Sequence, residues 1–99
     1  MEDTYMQRAS DCLNSIVNEL RQIWTTTDAT QYIESCLDIT VADDPLSPGR
    51  DLVITYGGPT VVLDIGTGKL RYHENGEKTV STYIPEKVRK LLFESQYPY

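Results

Sequence analysis

The sequence predicts an α+β fold: two N-terminal helices, a four- to five-stranded antiparallel meander and a C-terminal helix, all in one domain over residues 1–99. Three observations predict it. Apolar residues recur with a period of 3.6 as far as about residue 37, then with a period of two from residue 39 to residue 83. The alternating runs are separated by reversals rich in glycine and proline. Pro85 then opens a last stripe of helical period. A chain of 99 residues has material for one modest core and no second lobe.

The elements follow in order. Met6, Ala9, Leu13, Ile16, Val17, Leu20 and Ile23 recur at steps of three and four, and Thr4 with Gln7 makes a capping-box pattern, so residues 4–24 are expected as a long helix. Thr25, Thr26 and Thr27, all β-branched, mark a joint. Asp28 with Gln31 repeats the cap pattern, and Ala29, Tyr32, Ile33, Cys36 and Leu37 form a shorter stripe to about residue 37. Strands are expected around Ile39 and Val41; around Leu52, Ile54 and Tyr56; around Val61, Leu63 and Ile65; and around Leu70 and Tyr72. In a fifth strand the inward set is either Val80 and Thr82 or Thr79, Ser81 and Tyr83. Residues 42–50, ADDPLSPGR, are expected as an exposed hairpin loop. The last helix turns Val88, Leu91 and Leu92 inward and Lys87, Arg89 and Lys90 outward.

The glycines are read as turn residues. Asn75-Gly76 between alternating runs suggests a type I′ hairpin with both central residues at positive φ, and Gly66-Thr67-Gly68 suits a second reversal. Gly57-Gly58-Pro59 predicts a bend or bulge, because proline cannot donate to a ladder. Asp64-Ile65-Gly66-Thr67-Gly68 also resembles the first phosphate-binding turn of actin-like ATPases. The likeness covers five residues in a chain smaller than one lobe of such an enzyme, and the spacing matches neither G-x-G-x-x-G nor G-x-x-x-x-G-K-[ST]. Asp64 at a strand end is expected to cap the following turn with its side chain.

Composition and motifs weigh against several functions. No run of 18 apolar residues is present to span a bilayer. The first residues, MEDTYMQRASDC, carry acids where a secretory signal carries bases, so a cytoplasmic protein is expected. Cys12 and Cys36 lack a C-x-x-C partner and fall on helix stripes, which predicts buried reduced thiols. A single histidine, His73, offers neither a zinc set nor a nucleophile's base, so no metal or cofactor is expected and the chain is read as no enzyme.

Charge is the most informative feature. Residues 1–49 hold nine acids against two bases, a net of −7, while residues 50–99 hold seven bases and six acids, a net of +1. This asymmetry argues against direct nucleic-acid binding and favours a basic protein partner steered by long-range attraction. The candidate contacts are Glu34, Asp38, Asp43 and Asp44, four acids within eleven residues with no base among them. Glu34 and Asp38 share a helical face if the second helix runs that far, and the linker is expected to bring Asp43 and Asp44 beside them.

The segments YIESCLDITV and DLVITYGGPTVVLDIGTG resemble a loose group of small proteins of phages and integrative elements of Gram-positive bacteria, in which a strand ending in Gly-Gly-Pro precedes one ending in Asp and a small turn. The likeness covers residues 30–85. Many of those proteins carry a tryptophan-rich third strand where this chain has KLRYHENGEKT. Those proteins mostly have no assigned chemistry; on a protein of such an element, the acidic half is read as that of a non-enzymatic inhibitor of the anti-CRISPR type that occupies the nucleic-acid groove of a Cas effector. The alternative is a small structural or housekeeping protein of the element. Either acts as a monomer or as a homodimer, the latter joined through a sheet edge or the tyrosine tail SQYPY.

Overall fold

Tyr5, Ala9, Leu13, Ile16 and Leu20 repeat at helical spacing and are all buried, and burial of such a stripe is what stabilises a helix in water. In the computed structural model, which describes residues 2–56 and 58–96, they lie on α1 (Glu2–Leu20). The apolar register differs from the expected one by a residue at its start: Tyr5, not Met6, enters the core. Thr4 lies inside the helix, and Gln7 donates to Asp11 Oδ1 (2.8 Å) instead of closing a cap. The helix stops at Leu20 because the next turn tightens through bonds from Gln22 N to Glu19 O and from Ile23 N to Leu20 O, leaving Ile23 buried beyond the helix end.

The second helix, α2 (Thr26–Ser35), starts earlier than its Asp28–Gln31 pattern suggests. Thr25 is the N-cap: its hydroxyl accepts from Asp28 N (3.1 Å), while Asp28 Oδ2 accepts from Thr25 N (3.2 Å) and Trp24 N (3.0 Å). The box is therefore Thr25 with Asp28 as its third residue, and these bonds, that from Trp24 N first, hold the Asp28 carboxyl below its usual range. After Ser35 the chain turns directly into strand, and Leu37 is exposed.

Five strands follow: β1 (Asp38–Val41), β2 (Arg50–Thr55), β3 (Thr60–Asp64), β4 (Lys69–His73) and β5 (Val80–Tyr83). They pair in sequence order as an antiparallel meander. Leu52, Val61, Leu63, Leu70 and Tyr72 enter the core; in β5 Val80 packs against that core while Ser81 and Tyr83 are exposed, which settles the open choice of inward set. Last comes α3 (Glu86–Ser95), with Val88 and Leu92 buried. Pro85 is its N-cap residue rather than its first helical one. Arg89 does not face out as expected: it is bonded to Glu86 (2.7 and 2.8 Å) and reaches the carbonyls of Ile65 and Gly66 at 3.4 Å. α2 packs on α3 and α1 on β4 and β5, so the helices occupy one face of the sheet and the other is left without them.

One irregularity shapes that open face. Val53 pairs with Val62 but Thr55 pairs with Val61, so Ile54 is an extra residue in β2. This bulge keeps Ile54 against the core and reverses the alternation after it. Tyr56, which simple alternation assigns to the inward set, is 78% exposed as a result. Of the Gly57-Gly58-Pro59 bend, Gly57 lies outside the described residues, as do Tyr97, Pro98 and Tyr99 of the tyrosine tail.

The β4–β5 connection is longer than a two-residue hairpin. Residues 74–79 separate the strands, the turn is closed by Glu77 N donating to Glu74 O (3.0 Å), and only Gly76 has positive φ, at 83°. Asn75 therefore does not adopt the type I′ conformation; a glycine at the third position alone suits type II geometry. A Cβ on Gly76 meets nothing within 4 Å, so a substitution there tests backbone strain without steric clash. Gly76→Val is expected to destabilise the domain by about 1 kcal/mol or more. Thermal unfolding measures this, and an unchanged midpoint would show that the turn does not need its left-handed residue.

Candidate functional site

Strand alternation sends Thr40, Asp51, Val53, Val62, Asp64 and the residues paired with them to the helix-free face. Lys69 and Arg71 join them on β4, and Ser81 and Tyr83 on β5. Three cavities lie across this face. One, near the β1 edge, is lined by Leu37, Asp38, Thr40, Val53 and Tyr56. A second sits between Tyr56, Thr60 and His73. The third, of about 180 Å³, lies at the far end among Asp44, Asp64, Thr67, Lys69, Arg71 and Tyr83.

The loop of residues 42–49 closes that far end. It is the largely exposed hairpin loop its composition suggests, joining the antiparallel strands β1 and β2, and hydrogen bonds tie it down. Asp43 N donates to Asp51 Oδ2 (3.0 Å), Ser47 Oγ donates to Asp64 Oδ1 (2.6 Å), and Leu46 N donates to Asp44 Oδ1 (2.9 Å). Gly49 lies so close to Gly66 that a Cβ on either would enter the other's backbone. Asp64 caps its own turn as expected, Oδ1 accepting from Gly66 N (2.9 Å) and Thr67 N (3.3 Å).

Two carboxylates, Asp51 and Asp64, stand directly opposite each other in the β2–β3 register, and both are buried. Burial pushes the Asp51 carboxyl up; the backbone bond from Asp43 and the Arg71 charge pull it back, and nearby Asp64 adds to the rise. Arg71 is the shared counter-ion, with Nη2 3.1 Å from Asp51 Oδ2 and Nη1 3.5 Å from Asp43 Oδ2. The group is thus a partly buried charge network that ties the 42–49 loop to the sheet. Among the described residues no cluster of three or more His, Cys, Asp or Glu side chains could hold a metal ion.

The four acids expected to form one patch are not brought together. Glu34 is exposed on α2, but α2 ends at Ser35, so Asp38 shares no helical face with it. Asp38 opens β1 and its Oδ1 accepts from Ile39 N (2.8 Å). Asp43 and Asp44 follow the other end of that strand, so the three steps of β1 alone separate them from Asp38 by about 10 Å. Asp43 and Asp44 do stand together, exposed, though the loop's hydrogen bonds fix them rather than leaving them free to move. Asp38, Asp43 and Asp44 therefore flank the two ends of β1, with Glu34 on α2, instead of forming a helical patch.

Lys69, Arg71, Tyr83 and Asp51 were not among the expected contacts. Their trace in the sequence is the polar half of each period-two run, Asp51 before Leu52 and Lys69, Arg71 and His73 around Leu70 and Tyr72. That half reads as solvated surface until the register shows which positions are neighbours. His73 is exposed and shares a 3.3 Å hydrogen bond between Nδ1 and Thr79 Oγ1. Cys12 and Cys36 are free and half-buried rather than fully buried. Burial raises both thiols, Cys36 to about 11, which keeps the reactive thiolate scarce. No helix of the described residues is long and apolar enough to cross a membrane. No protein family, curated protein or solved structure matches the chain.

Proposed function

We propose that this protein is a non-enzymatic binding module whose acidic half engages a basic protein partner, and that it acts as an anti-CRISPR-type inhibitor in the nucleic-acid groove of a Cas effector. One observation carries the reading. The chain has a net charge of −6, and Asp11, Glu19, Asp38 and Asp44 join none of the ion pairs among the described residues. Acids left un-neutralised on a rigid domain attract a basic groove and place negative charge where phosphates bind. The phage and integrative-element resemblance supports the Cas assignment; charge supports the basic partner.

The test compares the parent with a variant carrying Glu34→Lys, Asp38→Lys and Asp44→Asn in assays of Cas-mediated DNA binding and cleavage. Asp43 is kept because it holds Arg71, and asparagine at position 44 retains an acceptor for Leu46 N. The parent is expected to inhibit, with inhibition weakening as salt rises, and the variant to need roughly tenfold or more protein for the same effect. Equal inhibition by both would sink the charge mechanism. A parent that inhibits no effector would leave ahead the second reading, a small structural protein of the element. That reading rests on the edge strand β1, with exposed Leu37 just before it and exposed Val41 at its end, a surface suited to a homodimer whose association salt would not weaken.

A further inference from the structure

The cavity closed by the 42–49 loop is arranged around one carboxylate oxygen that the fold itself does not use. Asp64 is 5% exposed. Its Oδ1 accepts from Ser47 Oγ, Gly66 N and Thr67 N. Its Oδ2 has no hydrogen-bond partner among the described residues, yet it is not one of the polar atoms shut off from solvent, and the carboxylate lines the cavity. A carboxylate this buried, with one oxygen open on a cavity, is a strong acceptor awaiting a donor.

The neighbours specify which donor. Arg71 is already engaged by Asp51 and Asp43. Lys69 lies directly opposite Asp64 in the β3–β4 register but forms no ion pair with it. The lining itself balances Asp44 and Asp64 against Lys69 and Arg71, but Arg71 is also shared with Asp43 and Asp51 beside the cavity, so the network as a whole is negative by two. Tyr83, 65% exposed, presents its ring at the rim. At about 180 Å³ the cavity falls below the range of roughly 300 Å³ and upward typical of cofactor sites.

From this the geometry points to a receptor for a single guanidinium group, the arginine side chain of a basic protein partner. The planar fork donates to Asp64 Oδ2 and to Asp44, and its face stacks on Tyr83. Guanidinium suits the cavity better than ammonium because it is less strongly hydrated and matches carboxylates in a plane. The inference rests on the basic-partner reading above and names the group such a partner would insert.

The experiment follows backbone amide shifts of the full chain by NMR during titration with N-acetyl-arginine amide, N-acetyl-lysine amide and inorganic phosphate at low ionic strength. Saturable shifts at Gly66, Thr67 and Lys69 are expected with the arginine probe, weaker ones with the lysine probe. Asp64→Asn keeps a carbonyl oxygen for the three donors and replaces Oδ2 by an amide, so it should leave the fold intact and weaken arginine binding roughly tenfold. Should Asp64→Asn fail to fold, Asp44→Asn, which removes the second carboxylate, is expected to weaken the probe in the same direction. No saturable shift in the parent, unchanged affinity in the readable variant, or a preference for phosphate would each overturn the pocket. None of these readouts involves a Cas effector: a parent that inhibits an effector but ignores arginine refutes the pocket alone, and one that binds arginine but inhibits no effector refutes only the inhibitor reading.

Discussion

Arg71→Ala is expected to destabilise the domain by about 2–4 kcal/mol at neutral pH, because it strands a buried carboxylate. Asp51 is 4% exposed, its Oδ2 accepts from Arg71 and from Asp43 N, and its Oδ1 is buried without a hydrogen-bond partner. The range is set below that for a fully buried pair because the Arg71 side chain keeps 27% of its exposure and part of its solvation. The effect must depend on pH, and its sign is fixed. Burial already raises the folded pKa of Asp51 above its unfolded value, and losing Arg71, which lowers it, raises it further. The ionised carboxylate thus penalises the folded state fully above the folded pKa, and the penalty lifts as pH falls toward the unfolded pKa. The deficit of Arg71→Ala relative to the parent should therefore shrink between neutral pH and about pH 5. Adding Asp51→Asn, which cannot ionise, should recover most of the lost stability. Urea unfolding of the single and double variants at both pH values checks this; a deficit that neither acid nor Asp51→Asn relieves would mean that Arg71 acts by packing instead.

Gly66→Ala is expected to cost about 1–3 kcal/mol through overpacking. A Cβ at this position would fall on Ser47 Oγ and Gly49 N and within 2.8 Å of Pro48 Cδ, so the 42–49 loop would have to lift from the β3–β4 turn. Lifting it also removes Ser47 from Asp64 and Asp43 N from Asp51, the two bonds that close the end of the open face. Gly58→Ala is the control: a Cβ there meets nothing within 4 Å, and the change should stay within about 0.5 kcal/mol. Denaturant melts of the two variants beside the parent are sufficient. Equal stability of Gly66→Ala and Gly58→Ala would show that the loop does not rest on the turn.

The sequence by itself determined the elements and their order, because each depends on neighbours close along the chain. The period of 3.6 in Ala9, Leu13, Ile16 and Leu20, the alternation in Val61, Leu63 and Ile65, and the turn glycines all encode burial or backbone conformation locally. Asp64 as a cap was legible for the same reason, since its acceptors' donors lie two and three residues on. What the tertiary structure decided is everything that depends on register or on one element stopping another. The end of α2 at Ser35 separated Glu34 from Asp38, and the bulge at Ile54 turned Tyr56 outward. The loop bonds fixed Asp43 and Asp44 at the far end of β1. The site formed by Asp44, Asp64, Lys69, Arg71 and Tyr83 draws on the loop and three strands. Those residues are up to 39 positions apart in the chain, and cross-strand pairing, which no local pattern specifies, is what makes them neighbours.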